Sequence, residues 1–221
     1  VGNVGPALGE MRPDRFIQHA ETTGDIVRIG TWVVREACRQ LRAWRSAGLA
    51  LPTVAVNVSF RQFLSDDFAT VVASTLREFE LEGSALELEI TARVLIEDAP
   101  DTVETFARLK AVGVCLTIDD FGEGYSALNY LRRLPIHGLK LSQLFVEGVP
   151  HNQSDIAVCQ AVAGIARSLN LGLVAEGVES EAQRRFLLDL GVPVGQGFLY
   201  APGLSPDEFA HRLGARIDPH V

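Results

Sequence analysis

Short apolar runs alternate with amphipathic helical segments along this chain, and this alternation constrains its fold more than any other feature. Strands and helices that alternate without a long linker are typical of a parallel α/β domain with a single core. We therefore expect residues 1–221 to form one domain. Six runs have the composition of strands: "TVAVNV" (53–58), "ALELEI" (85–90), "VCLTID" (114–119), "GLKL" (138–141), "GLVAE" (172–176) and "VPVGQGFL" (192–199).

Helical periodicity fills the intervals between these runs. Apolar residues recur at helical spacing from Ile26 to Trp44, and glycine follows at position 48. The same spacing predicts a helix after Ser65 and further helices over about 100–113, 126–133, 155–168, 181–190 and 206–213. Ser180 with Gln183, and Ser205 with Glu208, match the capping-box pattern that begins a helix.

Composition excludes several classes of protein. A net charge of −8 argues against a long nucleic-acid partner, and no apolar stretch approaches the roughly 20 residues of a membrane span. The cysteines, at positions 38, 115 and 159, are widely spaced in apolar contexts. We expect buried, reduced thiols, which favours a cytoplasmic protein. The histidines show no metal-ligand spacing, so oxygen atoms would have to hold any metal.

Polar residues cluster where the predicted strands end. In "ALELEI", Leu86, Leu88 and Ile90 share one face while Glu87 and Glu89 share the other. If the apolar faces meet the helices, the opposite faces point into a barrel, near the strand ends where a (β/α) barrel keeps its active site. This face would carry Asn57, Glu89, Asp119, Lys140 and Glu176, and Gln196 is a candidate to join them.

Asp119 and Asp120 stand side by side at the end of their strand, and Gly122 follows on a turn flexible enough to admit a ligand. Carboxylates and an amide suit hard cations such as Mg²⁺ or Mn²⁺, and adjacent aspartates could serve two ions. Such a site favours phosphodiester hydrolysis, with Lys140 orienting water or stabilising charge. Taken singly, each residue could instead be a solvated strand residue, a turn former or a helix cap.

Six motifs resemble the EAL domain family of bacterial cyclic diguanylate phosphodiesterases: "VNVSFRQF", "LELEIT", "TIDDFGEGYSALNYLRRLP", "LKL", "VAEGVES" and "GQGFLYAPGL". The resemblance implies a (β/α)₈-type TIM barrel with one antiparallel strand that binds cyclic di-GMP across its carboxyl-terminal mouth. It also implies a role for each matching position. The metal ligands would be Asn57, Glu89, Asp119 and Asp120, with Glu176 a further acid of that site, Lys140 the water-orienting lysine and Gln196 a glutamine near the metals.

Three departures from the family pattern point to a degenerate member. The Glu-Ala-Leu motif is absent, and only six strand-like runs are visible where a closed barrel has about eight, so we expect the first strands to be missing. Ala92 and Ser142 stand where the family usually has a glutamate and an aspartate. Fewer oxygen ligands predict weak or lost metal binding.

The resulting hypothesis is a cyclic di-GMP receptor or regulatory module. An active phosphodiesterase that yields linear pGpG and a protein-interaction scaffold without nucleotide binding remain alternatives. Sheet edges left open by missing strands invite pairing with a second copy. The family resemblance also implies an upstream GGDEF or sensor domain and a role in biofilm formation or motility.

Overall fold

The computed structural model describes residues 3–5, 9–11, 13–92, 100–123 and 131–217. Its centre is a six-stranded parallel sheet in which each strand pairs with the next one along the chain. The sheet strands are β3 (Val54–Val58), β4 (Leu86–Thr91), β5 (Cys115–Phe121), β6 (Gly138–Leu141), β7 (Gly172–Ala175) and β8 (Val194–Gly195). A separate antiparallel hairpin precedes them, formed by β1 (Asn3–Gly5) and β2 (Gly9–Met11).

Helices connect the strands. They are α1 (Pro13–Thr23), α2 (Ile26–Ser46), α3 (Phe60–Phe63), α4 (Phe68–Glu78), α5 (Pro100–Val112), α6 (Gln143–Val146), α7 (Gln153–Leu169), α8 (Glu181–Asp189) and α9 (Pro206–Ile217). Most of the helix predicted over 126–133 lies outside the described residues. Both predicted capping boxes are present, at the starts of α8 and α9.

The two faces of the sheet differ in chemistry, as the alternating pattern predicts. Leu88, Ile90 and Leu116 point outwards and are fully buried in the core beneath the helices. The opposite, inner face is polar, and there the Thr117 hydroxyl donates a hydrogen bond to the Glu87 carboxylate. The strands therefore bury apolar side chains on the outer face of the sheet, beneath the helices, and carry polar side chains on its inner face.

Two details correct the sequence-based expectations. Cys38 and Cys159 are buried, but Cys115 is only half-buried because it lies on the inner face of β5. The run 192–199 forms a strand only at Val194–Gly195. Beyond it the chain turns to pair with the loop after β7, where Val178 donates its backbone N–H to the Gln196 carbonyl.

The sheet remains open because β3 and β8 do not pair with each other. It curls into an incomplete barrel of the (β/α)₈ type, as predicted from the number of strand-like runs. The helical layer nevertheless closes across this gap. Trp44 of α2 and Phe209 of α9 have ring centroids 5.0 Å apart, and the Trp44 indole N–H donates to the Pro206 carbonyl over 3.3 Å.

Candidate functional site

A buried lysine lies at the centre of the carboxyl-terminal end of the sheet. Lys140 is 2% exposed, and its ammonium group contacts carboxylates from three other strand ends. The Nζ atom lies 2.9 Å from Glu89 Oε2, 3.3 Å from Asp119 Oδ1 and 2.5 Å from Glu176 Oε1. Four neighbouring strands thus deliver one charged side chain each to a single cluster.

Strand register explains this convergence. Glu89 of β4 pairs with Thr117 of β5, so Asp119 is the next inner-facing residue up the neighbouring strand. Lys140 pairs with Val174 in β7, and Glu176 follows two residues later on the same face. Because Thr117 pairs with Gly138 in β6, Lys140 lies one inner-facing position above the level of Glu89 and one below Glu176, within reach of all three carboxylates.

The surroundings keep Lys140 charged. Burial by itself lowers the pKa of Lys140, but the hydrogen bonds from its ammonium to Glu176 and Glu89 outweigh burial and raise that pKa. For Glu89, burial is the largest influence and raises the pKa, against the opposing effect of Lys140. A lysine that stays protonated donates hydrogen bonds and supplies positive charge, and it does not accept a proton.

Three carboxylates form a group with the spacing of a metal site. One oxygen from each of Asp119, Asp120 and Glu176 lies within 4.8 Å of the other two. The Asp120 N–H donates to Asp119 Oδ1 over 3.0 Å, which fixes the two aspartates relative to each other. Burial, followed by the charges of Asp119, Glu123 and Glu176, raises the pKa of Asp120 to about 6. An all-oxygen donor set with excess negative charge fits Mg²⁺ or Mn²⁺.

The turn after β5 has an unusual backbone. Asp120 has φ +52° and Gly122 has φ +111°, so two positions of this turn lie outside the regions that most residues adopt. A Cβ atom at Gly122 would lie 2.8 Å from the Phe145 ring, so glycine is required here by close packing as well as by φ. Gly122, which the sequence predicted to lie on a turn that admits a ligand, thus has a clear packing role, and its contact with a ligand stays a prediction.

Two predicted residues lie at the rim and not in the lysine cluster. Asn57 is paired with Glu89 in the β3–β4 register but its side chain is exposed, because β3 is an edge strand. Gln196 is exposed just beyond β8, and its backbone N–H donates to the Ala175 carbonyl. Their places as a metal ligand and as a glutamine near the metals stay predictions.

Sequence reasoning missed one residue beside the site. The Glu123 carboxylate accepts a hydrogen bond from the hydroxyl of Ser142, which is 2% exposed. The only sequence signal was a further acidic residue three positions after Asp120, within the turn. Ala92, by contrast, packs against the core and offers no polar side chain to the site.

Among the residues that the structure describes, no helix combines the length and the apolar character required to cross a bilayer.

Known proteins share both the sequence and the fold. The family model described as "EAL domain" matches residues 4–203. The bifunctional diguanylate cyclase/cyclic di-GMP phosphodiesterase MucR of Pseudomonas aeruginosa is 44% identical over 194 residues, which is 88% of this chain and 28% of MucR. The cyclic di-GMP phosphodiesterase NbdA of the same organism is 40% identical over 215 residues, covering 95% of this chain and 28% of NbdA. The chain therefore spans less than a third of the length of either relative.

Solved structures give the same result. The PaMucR phosphodiesterase in complex with c-di-GMP superposes with a TM-score of 0.88 at 42% identity, over 93% of this chain and 83% of that one. The chain belongs to the EAL domain family.

Proposed function

We propose that this domain binds cyclic di-GMP at the carboxyl-terminal end of the sheet through divalent cations, and that it acts as a receptor or regulatory module. Asp119, Asp120 and Glu176 would hold the cation, with Glu89 and Asn57 as further ligands. The similarity to MucR, whose structure contains c-di-GMP, supports the choice of ligand.

The observation that carries the proposal is the cluster around Lys140. One ammonium group faces the carboxylates of Glu89, Asp119 and Glu176, and Asp120 adds a fourth carboxylate next to them. A cyclic dinucleotide has two anionic phosphodiester groups, which so negative a site would repel. Divalent cations between the carboxylates and a phosphate remove that repulsion, so the charge of the site itself calls for them.

A second candidate function is hydrolysis of cyclic di-GMP to linear pGpG. It is favoured by the convergence of Lys140, Glu176 and both aspartates in one place. In this reaction a water oxygen would bond to one phosphorus while one P–O bond of the ring breaks, and Mg²⁺ or Mn²⁺, when bound, would supply Lewis acidity. Lys140 would orient that water and stabilise charge on the phosphoryl oxygens. In the net reaction, a proton from the water ends on the ring oxygen that leaves phosphorus. Lys140 does not accept it, because the pKa of Lys140 is raised and the amine is already protonated.

Calorimetric titration of cyclic di-GMP tests binding, first with Mn²⁺ and then with EDTA. We expect saturable binding with Mn²⁺ that EDTA abolishes, and a large loss of affinity in Asp119→Asn. Glu104→Gln, on the exposed side of α5, is the matched control for loss of one carboxylate. No binding under either condition would contradict the proposal and favour an interaction scaffold.

Chromatography of the same samples separates receptor from enzyme. Linear pGpG that accumulates with Mn²⁺ and disappears in Lys140→Met would establish the hydrolytic function. Binding without product would leave the receptor function.

A further inference from the structure

The turn that carries Asp120 is attached to the chain that follows β6. The Glu123 carboxylate accepts a hydrogen bond from the Ser142 hydroxyl, and Ser142 directly follows the last residue of β6. The same hydroxyl oxygen accepts a hydrogen bond from the Leu144 N–H over 3.2 Å, at the start of α6. The serine is 2% exposed, so its hydroxyl is held in one direction by groups at both of its hydrogen-bonding positions.

This attachment has a mechanical consequence for Asp120. Positive φ at a non-glycine residue is unfavourable and persists only where surrounding contacts enforce it. Asp120 has φ +52°, and the Glu123 N–H closes the turn by donating to the Asp120 carbonyl over 3.4 Å. The Phe145 ring lies close to Gly122, next to the residue that Ser142 contacts. The turn is therefore fixed at two adjacent points by residues that follow β6.

The chemistry at these two positions is complementary. Ser142 is an uncharged donor, so it can meet the Glu123 carboxylate without repulsion, whereas a second carboxylate at position 142 would repel it. The bond is charge-assisted, which makes it stronger than a hydrogen bond between two neutral groups, and it joins the buried Ser142 to the exposed Glu123. Loss of either partner would free the turn at this point and leave the other polar group without its partner.

We propose that Glu123 is a positioning residue, whose hydrogen bond to Ser142 holds the Asp120 carboxylate in the geometry needed for the divalent cation. This inference rests on the proposed metal-dependent function and adds a residue to it. Glu123 acts through the turn and through Ser142, and it is not itself a ligand of the cation. Hydrogen-bonding partners of this kind typically change metal affinity by 10–100-fold when they are removed.

The test is a Mn²⁺ titration, followed by calorimetry or electron paramagnetic resonance, on the whole chain without nucleotide. We expect Glu123→Ala and Ser142→Ala each to weaken Mn²⁺ affinity by about tenfold. The double variant should be no weaker than either single variant, because both substitutions remove the same bond. Glu123→Gln keeps a carbonyl oxygen that can accept from Ser142, so it should retain most of the affinity.

Controls separate positioning from folding and from direct ligation. Glu104→Ala removes an exposed carboxylate from α5 and should leave Mn²⁺ affinity unchanged. Thermal unfolding of every variant without metal identifies any loss of Mn²⁺ affinity that comes from global unfolding. If Glu123→Ala does not fold, Glu123→Gln and Ser142→Ala still test the bond between Glu123 and Ser142. Equal losses of Mn²⁺ affinity in Glu123→Gln and Glu123→Ala would overturn the inference, because they would show that the negative charge of Glu123, and not its hydrogen bond to Ser142, supports the cation.

The remaining outcomes distinguish the inference from the function on which it rests. If the unsubstituted chain binds Mn²⁺ and Glu123→Ala binds it equally well, the positioning role is wrong while the proposed function stands. If neither the unsubstituted chain nor Glu104→Ala binds Mn²⁺, the metal-dependent function is overturned and the positioning role falls with it.

Discussion

At Asp120 the charge that the proposed metal binding requires is unfavourable for folding. Burial and neighbouring carboxylates raise the pKa of Asp120 from 3.8 to about 6, so the folded state favours the protonated form. The ionised form therefore costs stability, and this cost develops as pH rises through the interval between these two values. The full difference corresponds to at most about 3 kcal/mol, and solvent screening of this half-buried group reduces it to about 1 kcal/mol.

Asp120→Asn should therefore stabilise the metal-free protein at neutral pH. Asparagine tolerates positive φ, so the substitution removes the charge and keeps the turn. With EDTA we expect a gain of about 1 kcal/mol in the free energy of unfolding at pH 7.5 and almost none at pH 4. With Mn²⁺ the order should reverse, because the variant would lack one of the proposed ligands. Urea unfolding at both pH values measures this, and an equal effect at pH 4 and 7.5 would contradict it.

The three thiols should differ in reactivity. Burial raises the pKa of Cys38 and of Cys159 to about 11, so both thiols stay protonated and shielded in the folded protein. Cys115 also has a raised pKa, from burial and then from the Glu87 charge, but it is half-buried on the inner face. Because thiolate and access are both needed for reaction, Ellman's reagent at pH 8 should modify Cys115 first and the other two only on unfolding.

A variant that lacks the Cys115 thiol provides the control for that assay. Cys115→Ser should remove the early phase and leave the two slow thiols. Rapid reaction of Cys38 or Cys159 in the native protein would show that their helices open far more often than a continuous core allows.

Among the elements, α8 has the most strongly connected start. The Gln183 side chain accepts hydrogen bonds from the Glu179 and Ser180 N–H groups and donates one to the Val146 carbonyl at the end of α6. The Ser180 hydroxyl accepts in turn from the Gln183 N–H. The capping box thus also ties two helices together, through a glutamine that is 7% exposed.

Gln183→Ala should consequently lower the free energy of unfolding by more than the loss of a helix cap alone. A capping serine contributes about 1 kcal/mol, so we expect about that loss in the free energy of unfolding for Ser180→Ala. For Gln183→Ala we expect about 2–3 kcal/mol, because this variant leaves the carbonyl of the buried Val146 and two part-buried N–H groups without partners. Ser205→Ala is the matched control, because its capping box at α9 is exposed. Equal losses in the free energy of unfolding for all three variants, measured by chemical denaturation, would contradict the coupling of α8 to α6.

The same elements show what sequence can and cannot predict. The alternation in "ALELEI" correctly assigned Leu88 to the core and Glu89 to the lysine cluster, because the period of a strand fixes its faces. The early end of β8 was not predictable, since it depends on pairing with Val178, far away in the sequence. The contact of Glu123 with Ser142 was missed for a similar reason, since it joins a turn to the end of another strand.

At the scale of the whole molecule, an open sheet is combined with a closed helical layer. β3 and β8 are the edges of the sheet, yet α2 and α9 meet across the gap through Trp44, Phe209 and the Pro206 carbonyl. The contact joins residues 162 positions apart, so it links the first long helix to the last one. Exposed apolar side chains next to the β8 edge, among them Val194 and Phe198, make self-association the outcome that we continue to predict.

Trp44→Ala should lower the free energy of unfolding chiefly by removing the contact between α2 and α9. An aromatic pair contributes about 0.5–1.5 kcal/mol beyond burial, and the indole hydrogen bond adds about 1 kcal/mol. We expect a total loss of about 2 kcal/mol, together with faster hydrogen exchange in α9. Trp32, also on α2 but 54% exposed, is the control, and Trp32→Ala should change both quantities little. If Trp44→Ala left exchange in α9 unaltered, the last helix would be held by other contacts, and closure of the helical layer would not contribute to the stability of the open barrel.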